Sequence, residues 1–366
     1  MLRCFLAAAV SLALVSAAAA ADPSDAKLKT GKPDLKSAGP LAIGPKGVLF
    51  VGDTVGAAVF AIKLESGTTR PSAINVEGIN KKLAAALGTS EGQVLINDLA
   101  AGPNAVYLSV SRGRGPSATP VIVSVGGDGK ITLLSLEKVQ YAKAELPNAP
   151  PNKVTGKGRR RSNARLSSIT DLHYADGKVI VAGLSNEEFA SKLRVIPYPF
   201  RTSAKGASVE IYHGAHGKFE TRSPIRTFVP YKVGGKSHVL AAYTCTPLVK
   251  FPVADLESKE KIKGTTIAEL GNQNVPLDVI VYSKGGKDYL LMANNRRGVM
   301  KISTDNIDKI KGITERVERG GKAGLPYETI SSLQGVVQLD KLNEKQAVIL
   351  VRGEGGRLDL KTIDLP

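Results

Sequence analysis

Two histidines that lie close together, and one isolated cysteine, are the residues of this sequence best suited to holding a metal ion. His213 and His216 are separated by two small residues, and Cys245 lies further along the chain. Imidazole and thiolate are ligands that zinc and copper both accept. The sequence therefore predicts a divalent-metal site at His213, His216 and Cys245, with Glu187 or Asp171 as a further ligand. The alternative is a Gly-rich loop whose histidines are solvated.

Cys245 has two other interpretations. It can act as a nucleophile if His213 or His216 serves as its base, or it can be buried as a small apolar residue. The only other cysteine, Cys4, lies in a segment that we expect to be removed. No Cys-x-x-Cys-His motif occurs, which excludes covalently attached c-type haem. The sequence does not identify a cofactor, although a divalent metal is compatible with it.

The most concentrated polar turn of the sequence lies at residues 294–297 and combines two asparagine amides with two arginine guanidinium groups. Paired arginines beside amides are suited to binding carboxylate, phosphate or sulfate groups. An aromatic content of 5% and the lack of tryptophan argue against a carbohydrate platform. With similar residues that follow other hydrophobic runs or lie in the connections between repeats, the predicted ligand-binding set is Arg112, Arg114, Asn186, Arg222, Arg226, Asn294, Asn295, Arg296, Arg297 and Arg352.

A basic segment at residues 147–165 contains three prolines and no acidic residue. Such a segment is typical of an exposed insertion. It can dock electrostatically on an anionic surface, or it can be a solvated insertion without a partner. Its cationic residues are Lys153, Lys157, Arg159, Arg160, Arg161 and Arg165.

Three aspartates, Asp98, Asp171 and Asp278, stand at the same place near the start of a hydrophobic strand. A residue that recurs in this way is expected to cap its own turn or a neighbouring strand. The alternative is that these carboxylates hold a divalent ion. His173 follows Asp171 by two residues, and we expect both on the same face of their strand.

These side chains must be positioned by a repeated unit, because six short hydrophobic runs recur between polar or Gly-rich turns. A repeat of about 50–70 residues made of short strands is typical of a β-propeller. The sequence therefore predicts an all-β fold, a six-bladed β-propeller, with seven blades as the alternative. Residues 79–87 have apolar residues at helical spacing and predict a short helix. The hydrophobic runs are residues 48–51, 106–108, 179–182, 239–242, 289–292 and 348–351.

The paired strands follow a pattern that a known family shares. Residues 276–282 lead through two glycines into residues 289–294, as residues 169–177 lead into residues 178–183. This succession of apolar–Asp–apolar, a Gly turn and an apolar run resembles the six-bladed propellers of the gluconolactonase and NHL-repeat kind. The resemblance implies the same fold and, for the lactonases, a divalent ion held by inner-strand carboxylates and asparagines. Those lactonases also use a Glu near the start of the first blade, whereas residues 35–52 include no acidic residue.

The order of strands in a blade sorts the polar residues onto two faces. The turn after the second strand and the connection to the next blade lie on one face, and the turn after the first strand lies on the other. The predicted ligand-binding residues and the histidine pair fall on the first face, and mostly lysines fall on the second. Because arginine, asparagine and histidine make directed hydrogen bonds, we expect the first face to be functional.

The first 21 residues have the features of an export signal, with Arg3, an apolar core and small residues before Asp22. We expect a polar leader or closing strand at residues 22–40 and a single propeller domain at residues 41–366. No other stretch approaches the about 20 apolar residues of a membrane span, so no transmembrane segment is expected after cleavage. The protein is expected to be exported, either periplasmic or secreted.

The formal net charge is +17, or +16 without Arg3. Such an excess favours an anionic small molecule, an acidic polymer or an acidic protein partner, although it can also serve solubility alone. Export argues against nucleic acid. The leading hypothesis is an exported binding module that recognises an anionic ligand or a protein partner through its Arg/Asn/His-rich face. The alternatives are a metal-dependent hydrolase or lactonase, and a quinoprotein-type dehydrogenase.

Overall fold

The structure is a computed structural model that describes residues 28–65, 71–158, 161–201 and 206–366. The predicted export signal and the predicted docking residues Arg159 and Arg160 lie outside these ranges. The described part of the chain has two α-helices, α1 (Ile79–Ala86) and α2 (Val253–Ser258). The first confirms the helix predicted at residues 79–87. Neither helix is long and apolar enough to cross a membrane.

The remaining elements are short strands. The first ten are β1 (Lys29–Gly31), β2 (Leu41–Ile43), β3 (Val48–Asp53), β4 (Ala58–Lys63), β5 (Asn75–Val76), β6 (Val94–Ala101), β7 (Val106–Arg112), β8 (Thr119–Val125), β9 (Ile131–Leu133) and β10 (Val139–Glu145). The next ten are β11 (Asp171–Ala175), β12 (Lys178–Leu184), β13 (Ser191–Pro197), β14 (Ala207–His213), β15 (Lys218–Glu220), β16 (Ile225–Val233), β17 (Lys236–Tyr243), β18 (Pro247–Pro252), β19 (Lys261–Lys263) and β20 (Thr265–Glu269). The last are β21 (Pro276–Lys284), β22 (Lys287–Asn294), β23 (Gly298–Ser303), β24 (Ala323–Gly324), β25 (Tyr327–Ile330), β26 (Val336–Lys341), β27 (Gln346–Arg352) and β28 (Leu358–Asp364).

These strands form six sheets arranged as the six-bladed β-propeller that the sequence predicts. The pairing is antiparallel throughout, apart from the parallel contact of β14 with β19. We number the blades by the chain order of their inner strands. From the inner edge outward, blade 1 is β2-β3-β4-β10-β1, blade 2 is β6-β7-β8-β9, blade 3 is β11-β12-β13-β14-β15 with β19 beside β14, blade 4 is β16-β17-β18-β20-β24, blade 5 is β21-β22-β23-β25 and blade 6 is β26-β27-β28-β5.

The second strand of each blade is covered on both faces by neighbouring blades, and this explains the recurring hydrophobic runs. In β3, Leu49, Phe50 and Val51 have no exposed surface. The Phe50 ring stacks on Tyr174 of blade 3 with 5.6 Å between ring centroids and meets Tyr198 edge-on at 5.0 Å. Truncation of such a buried aromatic side chain typically costs about 3–5 kcal/mol. The core therefore lies between blades.

The blades do not follow chain order around the ring. Their inner strands lie side by side in the order β2, β11, β16, β21, β26, β6 and back to β2. Blade 2 therefore lies between blade 6 and blade 1. The chain leaves blade 1 after β4, adds β5 to the edge of blade 6, builds blade 2, and returns to blade 1 as β10.

This return corrects one sequence expectation. The repeat predicts that the second blade extends from Val94 to about Leu146, but β10 pairs with β4 of blade 1 along residues 141–145. Partners so distant in the chain leave no local pattern in the sequence. Blade 1 and blade 6 are each completed by a strand that is remote from the rest of the blade, which ties the ring together.

The polar leader is tied to blade 1 by a buried carboxylate. Asp53 is 1% exposed, and its oxygens accept hydrogen bonds from the backbone N–H groups of Lys36 at 2.8 Å, Ser37 at 2.9 Å and Gly56 at 2.8 Å. Charge-assisted hydrogen bonds of this kind contribute about 1.5–3 kcal/mol each. Asp53 thus fixes both the leader and the turn that follows β3.

Candidate functional site

Two faces of the ring differ in the side chains they carry. Because neighbouring strands in a blade are antiparallel, the turns after the second strands lie on one face, here called the Arg face, together with the connections between blades. The turns after the inner strands lie on the opposite face, here called the Lys face. The predicted Arg112, Arg114, Arg296 and Arg352 lie in or beside Arg-face turns. Arg222 and Arg226 lie where the chain passes from blade 3 to blade 4.

The arginines of the Arg face are left without acidic partners. All six are exposed, and none forms an ion pair with a carboxylate of the described residues. Arg357, outside the predicted set, does pair with Asp359 at 2.9 Å. Three lysines of the Lys face form ion pairs with carboxylates: Lys178 with Glu257 at 2.6 Å, Lys287 with Asp305 at 2.9 Å and Lys341 with Glu344 at 2.8 Å. The positive charge is therefore less balanced on the Arg face.

Most of the polar turn at residues 294–297 stabilises its own loop. The Asn294 side chain is 5% exposed and accepts a hydrogen bond from Asn274 Nδ2 at 2.7 Å. Asn295 Oδ1 accepts from the N–H of Val275 at 2.8 Å. Arg297 Nη2 donates to the carbonyl oxygen of Asn272 at 2.9 Å. Arg296 is thus the member of this turn that is exposed and has no side-chain partner among the described residues.

Asn186, also in the predicted set, has an exposed side chain in the Arg-face turn of blade 3. Its backbone N–H donates to the carbonyl oxygen of Asn148 at 2.7 Å. The neighbouring Glu187 pairs with Lys192 at 2.5 Å and accepts from Asn148 Nδ2 at 2.8 Å. Glu187 is therefore engaged in holding this turn, although the sequence suggests it as a metal ligand.

The basic segment joins the Arg face through one of its own arginines. Arg165 Nε donates to the carbonyl oxygen of Pro150 at 2.5 Å, and Arg165 Nη1 donates to that of Val55 at 3.2 Å. Val55 belongs to the Arg-face turn of blade 1, so Arg165 is an anchor. Lys153, Lys157 and Arg161 are exposed. They extend the positive surface beyond the blades.

The histidine pair meets a glutamate that sequence reasoning missed. Glu220, at the end of β15, lies with Oε2 3.1 Å from His213 Nδ1 and with Oε1 2.7 Å from His216 Nδ1. The two imidazole centroids are 3.8 Å apart. Ser223 Oγ donates to Glu220 Oε2 at 2.5 Å. We call His213, His216 and Glu220 the His–Glu cluster; its potential ligand atoms all lie within 4.8 Å of one another.

The cluster combines a buried base with a well-stabilised anion. Burial, assisted by the nearby His216 and Lys218, lowers the pKa of His213 despite the opposing effect of Glu220. Burial opposes ionisation of Glu220, but hydrogen bonds from Ser223, His216 and His213 outweigh burial and lower the pKa of Glu220 to about 2. At neutral pH the pair is therefore a neutral imidazole beside a carboxylate. This is the protonation state in which these groups coordinate metal ions.

Cys245 lies outside the His–Glu cluster. It is half-buried in residues 244–246, the Arg-face turn of blade 4, and its backbone N–H donates to the carbonyl oxygen of Asn274 at 2.9 Å. Its φ of 65° places it in the left-handed region. The third group beside His213 and His216 is Glu220, four residues after His216. The hairpin of β14 and β15, which pairs His213 with Lys218, returns Glu220 to the imidazoles.

The recurrent aspartates connect the inner strands around the axis. The Oδ2 atoms of Asp98, Asp171 and Asp278 accept hydrogen bonds from the N–H groups of Leu41 at 2.7 Å, Phe228 at 2.8 Å and Leu339 at 2.8 Å, each in the next inner strand. Capping of a neighbouring blade is therefore their role. Asp340 does the same for Ala101 at 2.7 Å. The sequence repeat does not reveal Asp340, because Gln338 takes the equivalent place after the bulge in β26.

Two cavities open between these elements. One, of about 210 Å³, lies on the axis and is lined by the four inner-strand aspartates and by His173. The other, of about 660 Å³, lies on the Lys face between blades 3 and 4, with lining residues that include Lys178, Tyr231, Lys236 and Glu257. Neither cavity includes an arginine of the Arg face among its lining residues. These two cavities therefore belong to the axis and to the Lys face.

Comparison with known proteins gives matches among solved structures only. No protein-family model matches the chain, and no curated protein does. Among solved structures, the chain is similar to a PQQ-bound aldose sugar dehydrogenase from Streptomyces coelicolor (10% identity, TM-score 0.35, 92% of this chain and 96% of that one). It is also similar to a putative glucose dehydrogenase from Thermus thermophilus (13% identity, TM-score 0.33, 92% of this chain and 100% of that one). A third match is the extracellular region of plexin A4 (10% identity, TM-score 0.42, 92% of this chain and 46% of that one). Their identities are below 25% and their TM-scores below 0.5, so no property of these proteins is transferred to this chain.

Proposed function

We propose that this protein is an exported binding module that recognises a polyanionic ligand or an acidic protein surface through its Arg face. The observation that carries the proposal is the set of six exposed arginines without carboxylate partners, Arg112, Arg114, Arg222, Arg226, Arg296 and Arg352. Guanidinium groups bind carboxylates and phosphates bidentately, and a guanidinium without an acidic partner keeps its charge available. Export rests on the apolar N-terminal segment of residues 1–21.

The surroundings of these arginines support the same proposal. Lys153, Lys157 and Arg161 of the basic segment add charge on the side where Arg165 anchors the segment. The net charge of +17 attracts anions over a longer range than any single contact. Exposed lysines and arginines that project from one face are suited to an extended anionic ligand.

A residue-level footprint tests the proposal. The probe is polygalacturonate, an acidic polysaccharide, with neutral dextran as the control polymer. Arginines are modified with phenylglyoxal in the presence and absence of each polymer, and the modified positions are read by mass spectrometry. We expect polygalacturonate to protect Arg112, Arg296 and Arg352, and dextran to protect none. Arg114 is a poorer reporter, because its guanidinium already donates to two backbone carbonyl oxygens at 2.9 and 3.3 Å. Equal modification with both polymers would contradict the proposal.

A further inference from the structure

We propose that the His–Glu cluster binds a divalent transition-metal ion of the zinc class, with Nδ1 of His213, Nδ1 of His216 and a carboxylate oxygen of Glu220 as ligands. The site lies on the outer strands β14 and β15 of blade 3, away from the axial cavity. This inference is independent of the polyanion-binding proposal.

The donor set selects the class of ion. Two imidazoles and one carboxylate form a set typical of zinc, whereas calcium and magnesium prefer oxygen ligands. Three protein ligands also leave one position of a tetrahedral zinc ion for water. The His216 side chain is 44% exposed, so an ion can reach the cluster from solvent.

The spacing of the ligand atoms fits one small ion. Bonds of about 2.0–2.2 Å to a tetrahedral zinc ion place neighbouring ligand atoms roughly 3.3 Å apart. The corresponding distances are 3.1 Å from His213 Nδ1 to Glu220 Oε2 and 2.7 Å from His216 Nδ1 to Glu220 Oε1. These two distances involve different oxygens of Glu220, and the three ligand atoms lie within 4.8 Å of one another, so rotation of a side chain would bring them around a single ion.

Neighbouring groups hold these ligands in place. Ser223 Oγ donates to Glu220 at 2.5 Å and orients the carboxylate, as outer partners of metal ligands commonly do. The turn between the histidines is fixed because Gly214 N–H donates to the buried Glu269 at 2.6 Å. A Cβ at position 214 would lie 2.9 Å from that carboxylate, which explains the glycine.

A second observation concerns the burial of His213. His213 is 2% exposed, yet its Nε2 atom has no hydrogen-bond partner among the described residues. The ring therefore has one hydrogen-bonding contact, from Nδ1 to Glu220, and its other nitrogen is buried without the partner that normally offsets the cost of burying a polar atom. Coordination through Nδ1 would contribute a strong favourable interaction to this buried side chain. The competing arrangement is a hydrogen-bonded His–Glu–His trio that binds no ion.

Zinc titration of the full chain distinguishes the two arrangements. Purified protein is freed of metals with a chelator and titrated with Zn²⁺ alone against a chromophoric zinc indicator. We expect one ion per chain. Glu220→Gln and His216→Ala should each weaken affinity at least about 100-fold, because both remove a ligand, and Ser223→Ala should weaken affinity about 10-fold as an outer partner. His216 is the exposed ligand, so its variant is expected to fold.

The matched control is Cys245→Ser, because Cys245 is the other candidate ligand suggested by the sequence and lies outside the cluster. Its zinc affinity should equal that of the wild type. Zn²⁺ should also raise the Tm of the wild type and of Cys245→Ser, but not that of Glu220→Gln. Less than one bound ion per chain, or equal zinc affinity of wild type and Glu220→Gln, would overturn the proposal in favour of the hydrogen-bonded trio.

Discussion

The Oδ2 atom of Asp340 accepts a hydrogen bond from the backbone N–H of Ala101 at 2.7 Å, although the two residues are 239 positions apart. This contact joins the inner strand of blade 6 to that of blade 2. Since blade 2 lies between blades 6 and 1, the same contact helps to close the ring. The neighbouring contact of Asp98 with Leu41 then joins blade 2 to blade 1.

Replacing Asp340 tests this closure. Asp340→Ala removes the acceptor for Ala101 and for the N–H of Lys341, which donates to Asp340 Oδ1 at 2.7 Å. Each lost partner of a buried N–H costs about 1–3 kcal/mol, so we expect the free energy of unfolding to fall by about 2–4 kcal/mol. Asp340→Asn should lose less, because the amide oxygen keeps one of the two hydrogen bonds. Urea denaturation measures both values.

The exposed Asp128 provides the control, since Asp128→Ala removes a single local contact with Lys130. It should change the free energy of unfolding by less than about 0.5 kcal/mol. Equal stability of Asp340→Ala and Asp128→Ala would show that the contact with Ala101 does not stabilise the ring.

The axial aspartates should make stability depend on pH. Burial, together with the charges of neighbouring aspartates, raises the pKa of Asp98 and Asp278 well above the ordinary value of 3.8. The folded state therefore binds more protons than the unfolded state above about pH 4, and stability falls as pH rises towards the folded-state pKa. Asp98→Asn cannot ionise at this position. We expect the stability of the wild type, relative to Asp98→Asn, to decrease as pH rises.

Urea denaturation of both proteins between about pH 4 and pH 8 measures this difference. A difference that stays constant over the range would mean that Asp98 ionises in the folded protein as readily as in the unfolded chain.

Arg194 is a buried charge whose removal should stabilise the protein. It has no exposed surface, and its Nε and Nη1 atoms have no hydrogen-bond partner among the described residues. Burial lowers its pKa to about 10, so it remains protonated at neutral pH. Arg194→Met keeps much of the length of the side chain and removes the charge. Because replacement of buried charges by apolar groups can stabilise a protein, we expect a gain of about 1–3 kcal/mol in the free energy of unfolding.

Thermal and urea unfolding of Arg194→Met and of Arg194→Lys provide the comparison, since the lysine variant keeps the charge. The methionine variant should be the more stable of the two. The opposite order would mean that the charge of Arg194 is compensated within the folded protein.

The sequence was sufficient to predict the six blades because the first two strands of each blade are consecutive in the chain and pair locally. Hydrophobic runs and Gly-bearing turns mark each hairpin of the inner strands. The position of blade 2 between blades 6 and 1 goes together with the return of the chain to blade 1, where β10 pairs with β4. No spacing in the sequence reveals that pairing. Asp340 is not marked by the repeat either, because it lies two residues beyond the position equivalent to Asp98 and Asp278, which Gln338 occupies.

The candidate sites were predictable only in part. The arginines could be sorted onto one face from strand order alone. Residue type alone does not show which polar side chains form hydrogen bonds within the folded protein. Asn294 and Arg297 therefore resemble binding residues in the sequence, but in the structure they stabilise their own loop. Glu220 was overlooked because its distance from the histidines depends on the hairpin of β14 and β15.

Affinity for polygalacturonate, measured at two ionic strengths, most directly tests the binding function of the Arg face. Three proteins are compared: the wild type, the variant Arg112→Ala/Arg296→Ala/Arg352→Ala, and the variant Lys232→Ala/Lys236→Ala/Lys345→Ala, which loses the same charge near the Lys face. We predict that the arginine variant binds about 10–100-fold more weakly at low salt and depends less on salt, while the lysine variant stays close to the wild type. If both variants lose the same affinity for polygalacturonate, binding is not specific to the Arg face, and the net charge of the protein alone explains it.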